Sequence, residues 1–252
     1  MNVLLKLAFL FFIGSLSGWG IEVVYRRFFS SANPECKWIN PGFLTGPYLP
    51  LYGFSLCVLY LLAGCEVLLP IPDPGLRKAV LFVVMSLCVT AVEYLAGLIF
   101  IEHLHIKLWD YSHQWGNVKG IICPKFTFFW LLMSAGYYFF VHPRILGALE
   151  WLAQNLAFSF IIGFFFGVFV IDFAMSARLM NRIRSFAKDN GITVQLQEFQ
   201  ANIRAAKEAR QEKRKFLLTL YSRTPLNMHL AEYLEKRKDG APDRCGKDKR
   251  DA

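Results

Sequence analysis

The sequence lacks the short motifs that mark many soluble enzymes. It contains no P-loop, no glycine-rich dinucleotide fingerprint, no nucleophile elbow and no zincin helix. Its six cysteines are scattered without C-x-x-C spacing, so neither a zinc site nor a disulfide framework is indicated. The chain therefore has no recognisable ATP-binding motif of its own, and no cofactor is predicted for it.

Charge is also scarce, but only in the first 175 residues. That part has ten Lys or Arg and nine Asp or Glu, whereas residues 176–252 have eighteen and ten, so most of the net charge of +9 lies in the second part. The chain is 55% hydrophobic with 24 Phe, more than a soluble domain of this length contains. The composition indicates a membrane domain followed by a basic tail. Anionic lipid explains such a tail better than nucleic acid does, so no nucleic-acid partner is predicted.

Apolar stretches predict the membrane topology. A bilayer-spanning helix needs about 20 residues, and five stretches reach this length: 3–25, 46–69, 79–101, 121–141 and 152–175. We therefore predict an all-α, polytopic helical membrane protein with about five transmembrane helices. Its expected parts are a transmembrane domain over 1–176, a basic cytoplasmic helical tail over 177–235 and a disordered C-terminus over 236–252. The positive-inside rule places the tail in the cytoplasm, so five spans put the N-terminus outside the cell membrane.

The charges within these stretches fall mostly toward one side of the membrane. Glu22, Glu93 and Asp172 lie late in the first, third and fifth spans. Lys125 lies early in the fourth span, and only Glu66 falls toward the opposite side. An ionisable group inside a bilayer costs about 2.5–3.5 kcal/mol on insertion scales, so several at a common depth predict a shared polar site that faces the cytoplasm.

Two of these acids have candidate partners. Glu93 lies eight residues before the predicted span end at residue 101, or about 12 Å of helix, which is too deep for a short carboxylate to reach water. Lys125 is its nearest candidate partner by depth, although such a buried pair could be purely structural. Glu22 precedes Arg26 in the favourable i,i+4 order, with Trp19 on a neighbouring stripe. The alternative for Glu22 is a helix-end carboxylate that only pairs with Arg26.

Glycine spacing predicts how two of the spans pack. Gly14 and Gly18 are four residues apart in the first span, which lets the backbone of another helix approach closely. Gly163 and Gly167 repeat the spacing in the fifth span, and helix packing is the expected role there too.

The segment over 40–53 has three prolines and three glycines in fourteen residues, so it cannot begin as a regular helix. Irregular backbone at membrane depth is tolerated where it is buried in protein or lines a wet cavity. This interpretation places Gly46, Tyr48 and Tyr52 at the polar site. The alternative is a loop that runs into a helix started by Pro50.

The loop over 102–120 collects polar and aromatic residues. Five of them could in principle bind a transition metal: Glu102, His103, His105, Asp110 and His113. Because His-x-His spacing alone is a weak signal, no metal site is predicted. Asp110 is flanked by Trp109 and Tyr111, which favours a buried anchor or a ligand contact.

Several motifs taken together resemble a known family. They are Gly18-Trp19…Glu22…Tyr25-Arg26, the Gly-Pro-Tyr-Leu-Pro-Leu-Tyr-Gly run over 46–53, Glu93-Tyr94, Trp109-Asp110-Tyr111-Ser112 and Gly120…Cys123. In this combination, over residues 8–180, the chain resembles the putative ABC-transporter permease family of the CmpB-like, type IV kind. The resemblance implies a small multispan body, and export or uptake driven by a separate ATPase. His113-Gln114-Trp115-Gly116 departs from the family pattern, which leaves the substrate open.

These observations predict an integral membrane permease-like protein that passes or gates an unknown solute, with a separate ATPase. The candidate substrate-binding residues are Trp19, Glu22, Arg26, Gly46, Tyr48, Tyr52, Glu93, Tyr94, Trp109, Asp110 and Lys125. Membrane lipids and a second copy of the chain are further expected partners. The alternative is a membrane-embedded enzyme or lipid-handling protein in which Glu22, Glu93 and Asp110 supply acid and base. A scaffold whose basic tail recruits partners is a third class.

Overall fold

The computed structural model describes residues 2–30, 33, 36–209 and 225–239. These residues fall into two compact units, Met1–Leu196 and Gln197–Ala252. The first unit extends past the predicted domain end at residue 176, because its last long helix runs without interruption to Asp189.

The first unit consists mainly of helices. They are α1 (Val3–Phe28), α2 (Pro50–Gly64), α3 (Pro74–Leu98), α4 (Pro124–Gly136), α5 (His142–Gln154) and α6 (Ser159–Asp189). Prolines stand in the first turn of α2, α3, α4 and α5, where an N–H would have no intrahelical partner. Two short strands, β1 (Ile106–Lys107) and β2 (Val194–Gln195), pair in parallel. Apart from these two-residue strands, all the elements of the unit are helical, which confirms the predicted all-α class.

Among the described residues, three helical stretches are long and apolar enough to cross a membrane: Val3–Phe28, Pro74–His103 and Leu156–Asp189. The predicted count of five is not confirmed. The second predicted span is helical only in α2, since prolines and glycines interrupt the chain before it. At 15 residues α2 is about 22 Å long, shorter than the ~30 Å hydrocarbon core. The fourth predicted span is α4, which a π-helical turn (Tyr137–Val141) joins to α5.

Glycines let α1 and α2 pack closely. A Cβ atom at Gly14 would lie 2.9 Å from the Cβ of Leu56, and one at Gly18 would overlap the Tyr52 ring. Because Gly18 is one turn later in α1 and Tyr52 is one turn earlier in α2, the two helices are antiparallel. The glycine pair of α6 (163–167) faces open space among the described residues, so the contact expected there is absent from this part of the fold.

The helix pair α3 and α4 is also antiparallel. Phe82, early in α3, contacts Tyr138 beyond the end of α4, with ring centroids 5.4 Å apart. At the other end, a Cβ atom at Gly97 would overlap Ile121, which lies just before α4. The end of α3 and the start of α4 thus lie together, near the end of α1 and the start of α2.

The second unit contains the end of the described chain. Its helices are α7 (Leu196–Ala209), which begins at the unit boundary, and α8 (Leu226–Asp239). The rings of Phe199 and Tyr233 are 5.7 Å apart, and the Tyr233 hydroxyl donates to Glu198 at 3.4 Å. Helix α8 continues past residue 236, where disorder was predicted to begin, and residues 240–252 lie outside the described residues.

Candidate functional site

Carboxylates from α1 and α3 meet beside Tyr52 at the start of α2. The Tyr52 hydroxyl donates to Glu22 at 3.2 Å, and its ring lies 6.0 Å from that of Trp130. Trp130 Nε1 in turn donates to Glu93 Oε2 at 2.9 Å. We call this group, with Arg26 and Tyr111, the Glu22–Glu93 site.

Glu22 forms the predicted i,i+4 pair with Arg26. The Arg26 Nε to Glu22 Oε1 distance is 2.9 Å. The side chains of Arg26 and Glu22 are 18% and 21% exposed, so this half of the site is open to its surroundings. The second Glu22 oxygen accepts the Tyr52 hydroxyl, which links the exposed ion pair to the buried half.

Glu93 is buried and accepts hydrogen bonds from neutral donors. It is 4% exposed, and its oxygens accept from Trp130 at 2.9 Å and from the Tyr111 hydroxyl at 3.3 Å. The predicted partner Lys125 is not there. Its side chain is exposed and its ammonium lies 5.9 Å from the Phe126 ring centroid. Among the described residues, no cation pairs with Glu93, because Trp130 is the α4 residue that faces it.

Tyr111 completes the buried half from the 102–120 loop. Its ring stacks on Phe126 at 4.4 Å, and its backbone N–H donates to the Gly120 carbonyl at 2.8 Å. Burial, and then the charges of Glu93 and Glu22, hold the pKa of the Tyr111 phenol far above its usual value. Tyr111 therefore remains a neutral donor to Glu93 at physiological pH.

Asp110 lies next to this site in sequence but belongs to a separate cluster. Its carboxylate accepts from Lys107 Nζ at 2.7 Å, from the backbone N–H and hydroxyl of Ser112, and from Gln195 Nε2 at 3.3 Å. Burial raises the pKa of Asp110, but the hydrogen bonds from Lys107 and Ser112 outweigh it and the pKa falls below the usual value. Among the described residues none of these donors also bonds Glu22 or Glu93, so the expected convergence of Asp110 with the two acids stays a prediction.

The Asp110 cluster fixes the loop that presents Tyr111. Gly120 has φ +67°, and a Cβ atom there would lie 2.7 Å from Lys107 Nζ. Trp109 Nε1 donates to the Ile121 carbonyl at 2.8 Å, so Trp109 is also part of this support. The parallel pairing of β1 with β2 brings Gln195 to Asp110 from the far end of the unit.

Asp172 organises the irregular segment before α2. Its carboxylate accepts from the backbone N–H groups of Thr45 at 3.2 Å and Gly46 at 2.8 Å. The hydroxyls of Tyr48 and Ser176 also donate to it, at 2.6 and 3.2 Å. A Cβ atom at Gly46 would overlap the Tyr48 ring. Gly46 and Tyr48 therefore lie in an Asp172 clamp, as we call this group, and only Tyr52 of the segment reaches the Glu22–Glu93 site.

The two remaining candidates lie beside these groups. Trp19 Nε1 donates to Asn40 Oδ1 at 2.7 Å, and Asn40 Nδ2 donates to the Leu44 and Thr45 carbonyls at 3.2 and 3.1 Å. Trp19 thus holds the irregular segment rather than the carboxylates. Tyr94 is partly buried next to Glu93 on α3 and makes no hydrogen bond to the site within the described residues.

Sequence reasoning missed Trp130 as a donor to Glu93. The available signal was an indole N–H inside an apolar stretch, because a buried tryptophan usually finds a hydrogen-bond acceptor. It also missed Gln195, whose approach to Asp110 depends on long-range strand pairing. No three His, Cys, Asp or Glu side chains of the described residues converge as metal ligands.

One comparison with known proteins gives a match. A family model described as putative ABC-transporter type IV matches residues 9–177, which include all of the Glu22–Glu93 site and the Asp172 clamp. No curated protein and no solved structure matches the chain.

Proposed function

Since this chain belongs to the putative ABC-transporter type IV family, we propose that it is a permease-like protein that passes or gates a solute at the Glu22–Glu93 site. Family and apolar helices make it a membrane protein related to transport. No ATP-binding motif occurs in the sequence, so a separate ATPase would supply the energy. We also propose, from the sequence alone, that a second copy of the chain is a partner.

The observation that carries the proposal is the way Glu93 is held. Its hydrogen-bond donors, Trp130 and Tyr111, are side chains from α4 and from a loop. Such donors can rotate away, so a polar group of a solute can replace one of them without unfolding a helix. Glu22 and Arg26 form the more exposed side of the same site, since their side chains are 21% and 18% exposed. An intramembrane carboxylate in this setting is a functional candidate by default.

An enzyme that uses Glu22, Glu93 and Asp110 has less support. The Asp110 oxygens are engaged by Lys107, Ser112 and Gln195, which leaves no free acid at a third position. Lipid turnover by the purified protein would reverse this preference.

We also propose that the tail lies in the cytoplasm of the cell membrane and the N-terminus outside, from the positive-inside rule. In a cysteine-free background, Met228→Cys in α8 should react with an impermeant maleimide only after the cells are opened. Gly75→Cys, at the start of α3, should react in intact cells. The reverse labelling would overturn this orientation.

The proposed transport is tested with membrane vesicles energised by ATP. Vesicles from cells that express the protein, and from cells that do not, are compared by untargeted mass spectrometry of their contents. The wild type should change the level of at least one solute. Glu93→Gln should reduce that change about tenfold or more, because a charged hydrogen bond contributes about 1.5–3 kcal/mol.

Glu150→Gln is the matched control, since Glu150 is an exposed residue of α5 far from the site in sequence. It should transport like the wild type. Identical solute profiles for the wild type, Glu93→Gln and cells without the protein would contradict the proposal.

A further inference from the structure

An open apolar groove runs between α3 and α4. It has a volume of about 440 Å³, within the range of small-molecule sites. Its apolar lining includes Val83, Leu87, Ile122, Phe128 and Leu131. This volume and lining fit an apolar chain rather than a polar solute.

The groove presents no free hydroxyl. Ser86 and Thr127 line it, but the Ser86 hydroxyl donates to the Thr127 carbonyl at 2.8 Å. The Thr127 hydroxyl donates to the Cys123 carbonyl at 3.3 Å. Because these hydroxyls are satisfied within the protein, an occupant gains nothing from polar groups inside the groove.

A cation and an exposed tryptophan mark one end of the groove. Lys125 directly follows the lining residue Pro124 at the start of α4, and its side chain is exposed. Trp115 is 87% exposed and precedes the lining residue Gly116. Tryptophan of this kind is typical of the membrane–water interface.

We infer that this groove binds one acyl chain of an anionic phospholipid, whose phosphate lies at Lys125. The apolar lining and the volume suit the acyl chain, and the exposed ammonium complements a negative headgroup. In the orientation proposed above, this end faces the cytoplasmic leaflet, where anionic lipids are concentrated. The site is separate from the solute site, and its test does not depend on transport.

The acyl-chain part is tested by filling the groove. Full-length protein is purified in detergent, stripped of lipid, and mixed with dioleoyl phosphatidylglycerol or dioleoyl phosphatidylcholine at the same concentration. Retained lipid is counted by native mass spectrometry. Leu87→Trp should reduce retention of both lipids at least fivefold. Leu95→Trp is the matched control, because Leu95 is 58% exposed on the same helix and does not line the groove.

The headgroup part is tested by removing the cation. The wild type should retain phosphatidylglycerol several-fold better than phosphatidylcholine. Lys125→Gln should abolish this preference and leave phosphatidylcholine retention unchanged. Lys78→Gln is the control, since its ammonium also lies near an aromatic ring, 5.7 Å from that of Tyr138.

Three results would overturn the inference. The first is equal lipid retention by Leu87→Trp and Leu95→Trp. The second is a headgroup preference that is missing in the wild type or survives Lys125→Gln. The third is a photocrosslinker at Leu87 that captures a polypeptide in native membranes instead of a lipid, because the groove would then be a protein interface.

Discussion

Asp172 and Glu93 are both buried carboxylates on apolar helices, 9% and 4% exposed, yet they are held in different ways. Asp172 accepts from the backbone N–H groups of Thr45 and Gly46 as well as from two hydroxyls. Glu93 accepts from Trp130 and Tyr111 side chains. The backbone donors of Asp172 cannot leave without moving the chain, whereas the donors of Glu93 are side chains and can leave without a change in the backbone.

This difference separates a structural acid from a candidate functional one. Sequence depth placed both acids toward the same side of the membrane and singled out Glu93 only as the deeper one. The type of hydrogen-bond donor separates their roles. Asp172 supplies hydrogen-bond acceptors to backbone N–H groups of the irregular segment, which a helix would otherwise supply. Glu93 belongs to a group of side chains that a ligand can enter. Variants at the two acids and their neighbours should therefore differ in their effect on stability.

Asp172→Asn should have the largest effect. An amide has one acceptor oxygen, and its NH₂ group would face N–H or O–H donors, so at least one donor of Thr45, Gly46 or Tyr48 loses its acceptor. Each unsatisfied buried donor costs about 1–3 kcal/mol, so the free energy of unfolding should fall by about 2–4 kcal/mol. The measurement is reversible unfolding in mixed micelles followed by circular dichroism.

Asp73→Asn is the control for Asp172→Asn. Asp73 caps α3 by accepting from the Leu76 N–H at 2.6 Å, and asparagine is an equally good N-cap. Its stability should remain within about 0.5 kcal/mol of the wild type. Equal losses in the two variants would remove the special role of Asp172.

Gly46→Val should be next in size. The added side chain would overlap the Tyr48 ring and displace a donor of Asp172. Overpacking of this kind costs about 1–3 kcal/mol. We therefore expect the free energy of unfolding of this variant to fall, in addition to any loss of transport. A variant as stable as the wild type would place Gly46 outside the Asp172 clamp.

Asp110→Asn should have a smaller, pH-dependent effect. Because the pKa of Asp110 is lowered in the folded state, its carboxylate stabilises the fold above its unfolded pKa, and this contribution is lost as pH falls through the folded pKa. At pH 7 the variant should melt roughly 3–6 °C below the wild type. The difference should shrink as the pH falls from the ordinary carboxyl pKa through the lowered pKa of the folded state, because the wild-type carboxyl then also becomes protonated. A difference independent of pH would contradict this account.

Much of the fold follows from local sequence signals. Long apolar stretches predicted α1, α3 and α6, and the proline-started helix at Pro50 was one of the two interpretations of the irregular segment. The count of five spans is not confirmed at α2, because the apolar stretch over 46–69 is longer than the helix within it. In the fourth stretch, a π-helical turn interrupts the regular α-helix. The same G-x-x-x-G spacing packs α1 on α2 but faces open space in α6, since spacing permits a contact without supplying the partner helix.

The site was predicted only in part. The i,i+4 order predicted the Glu22–Arg26 pair, which the 2.9 Å contact confirms, whereas membrane depth predicted only that Glu22 and Glu93 lie toward the same side of the membrane. Depth did not predict the partner of Glu93 correctly, because depth specifies a level in the bilayer but not which side of α4 faces α3. Lys125 is therefore not paired with Glu93. The contact of Asp110 with Gln195 was not predicted, because Gln195 is 85 residues away in the sequence and is brought there by strand pairing. Such long-range contacts leave no local pattern.

The stability of Glu93→Gln tests the central contrast most directly. Glutamine keeps the shape of the side chain, its amide oxygen can accept from the Trp130 N–H, and its NH₂ group can donate to the Tyr111 hydroxyl, which can accept as well as donate. The backbone N–H donors of Asp172 cannot adapt in this way. We therefore expect an unfolding free energy within about 1 kcal/mol of the wild type, and a loss several-fold smaller than that of Asp172→Asn in the same micelles. A loss as large as that of Asp172→Asn would make Glu93 a structural acid and contradict the account.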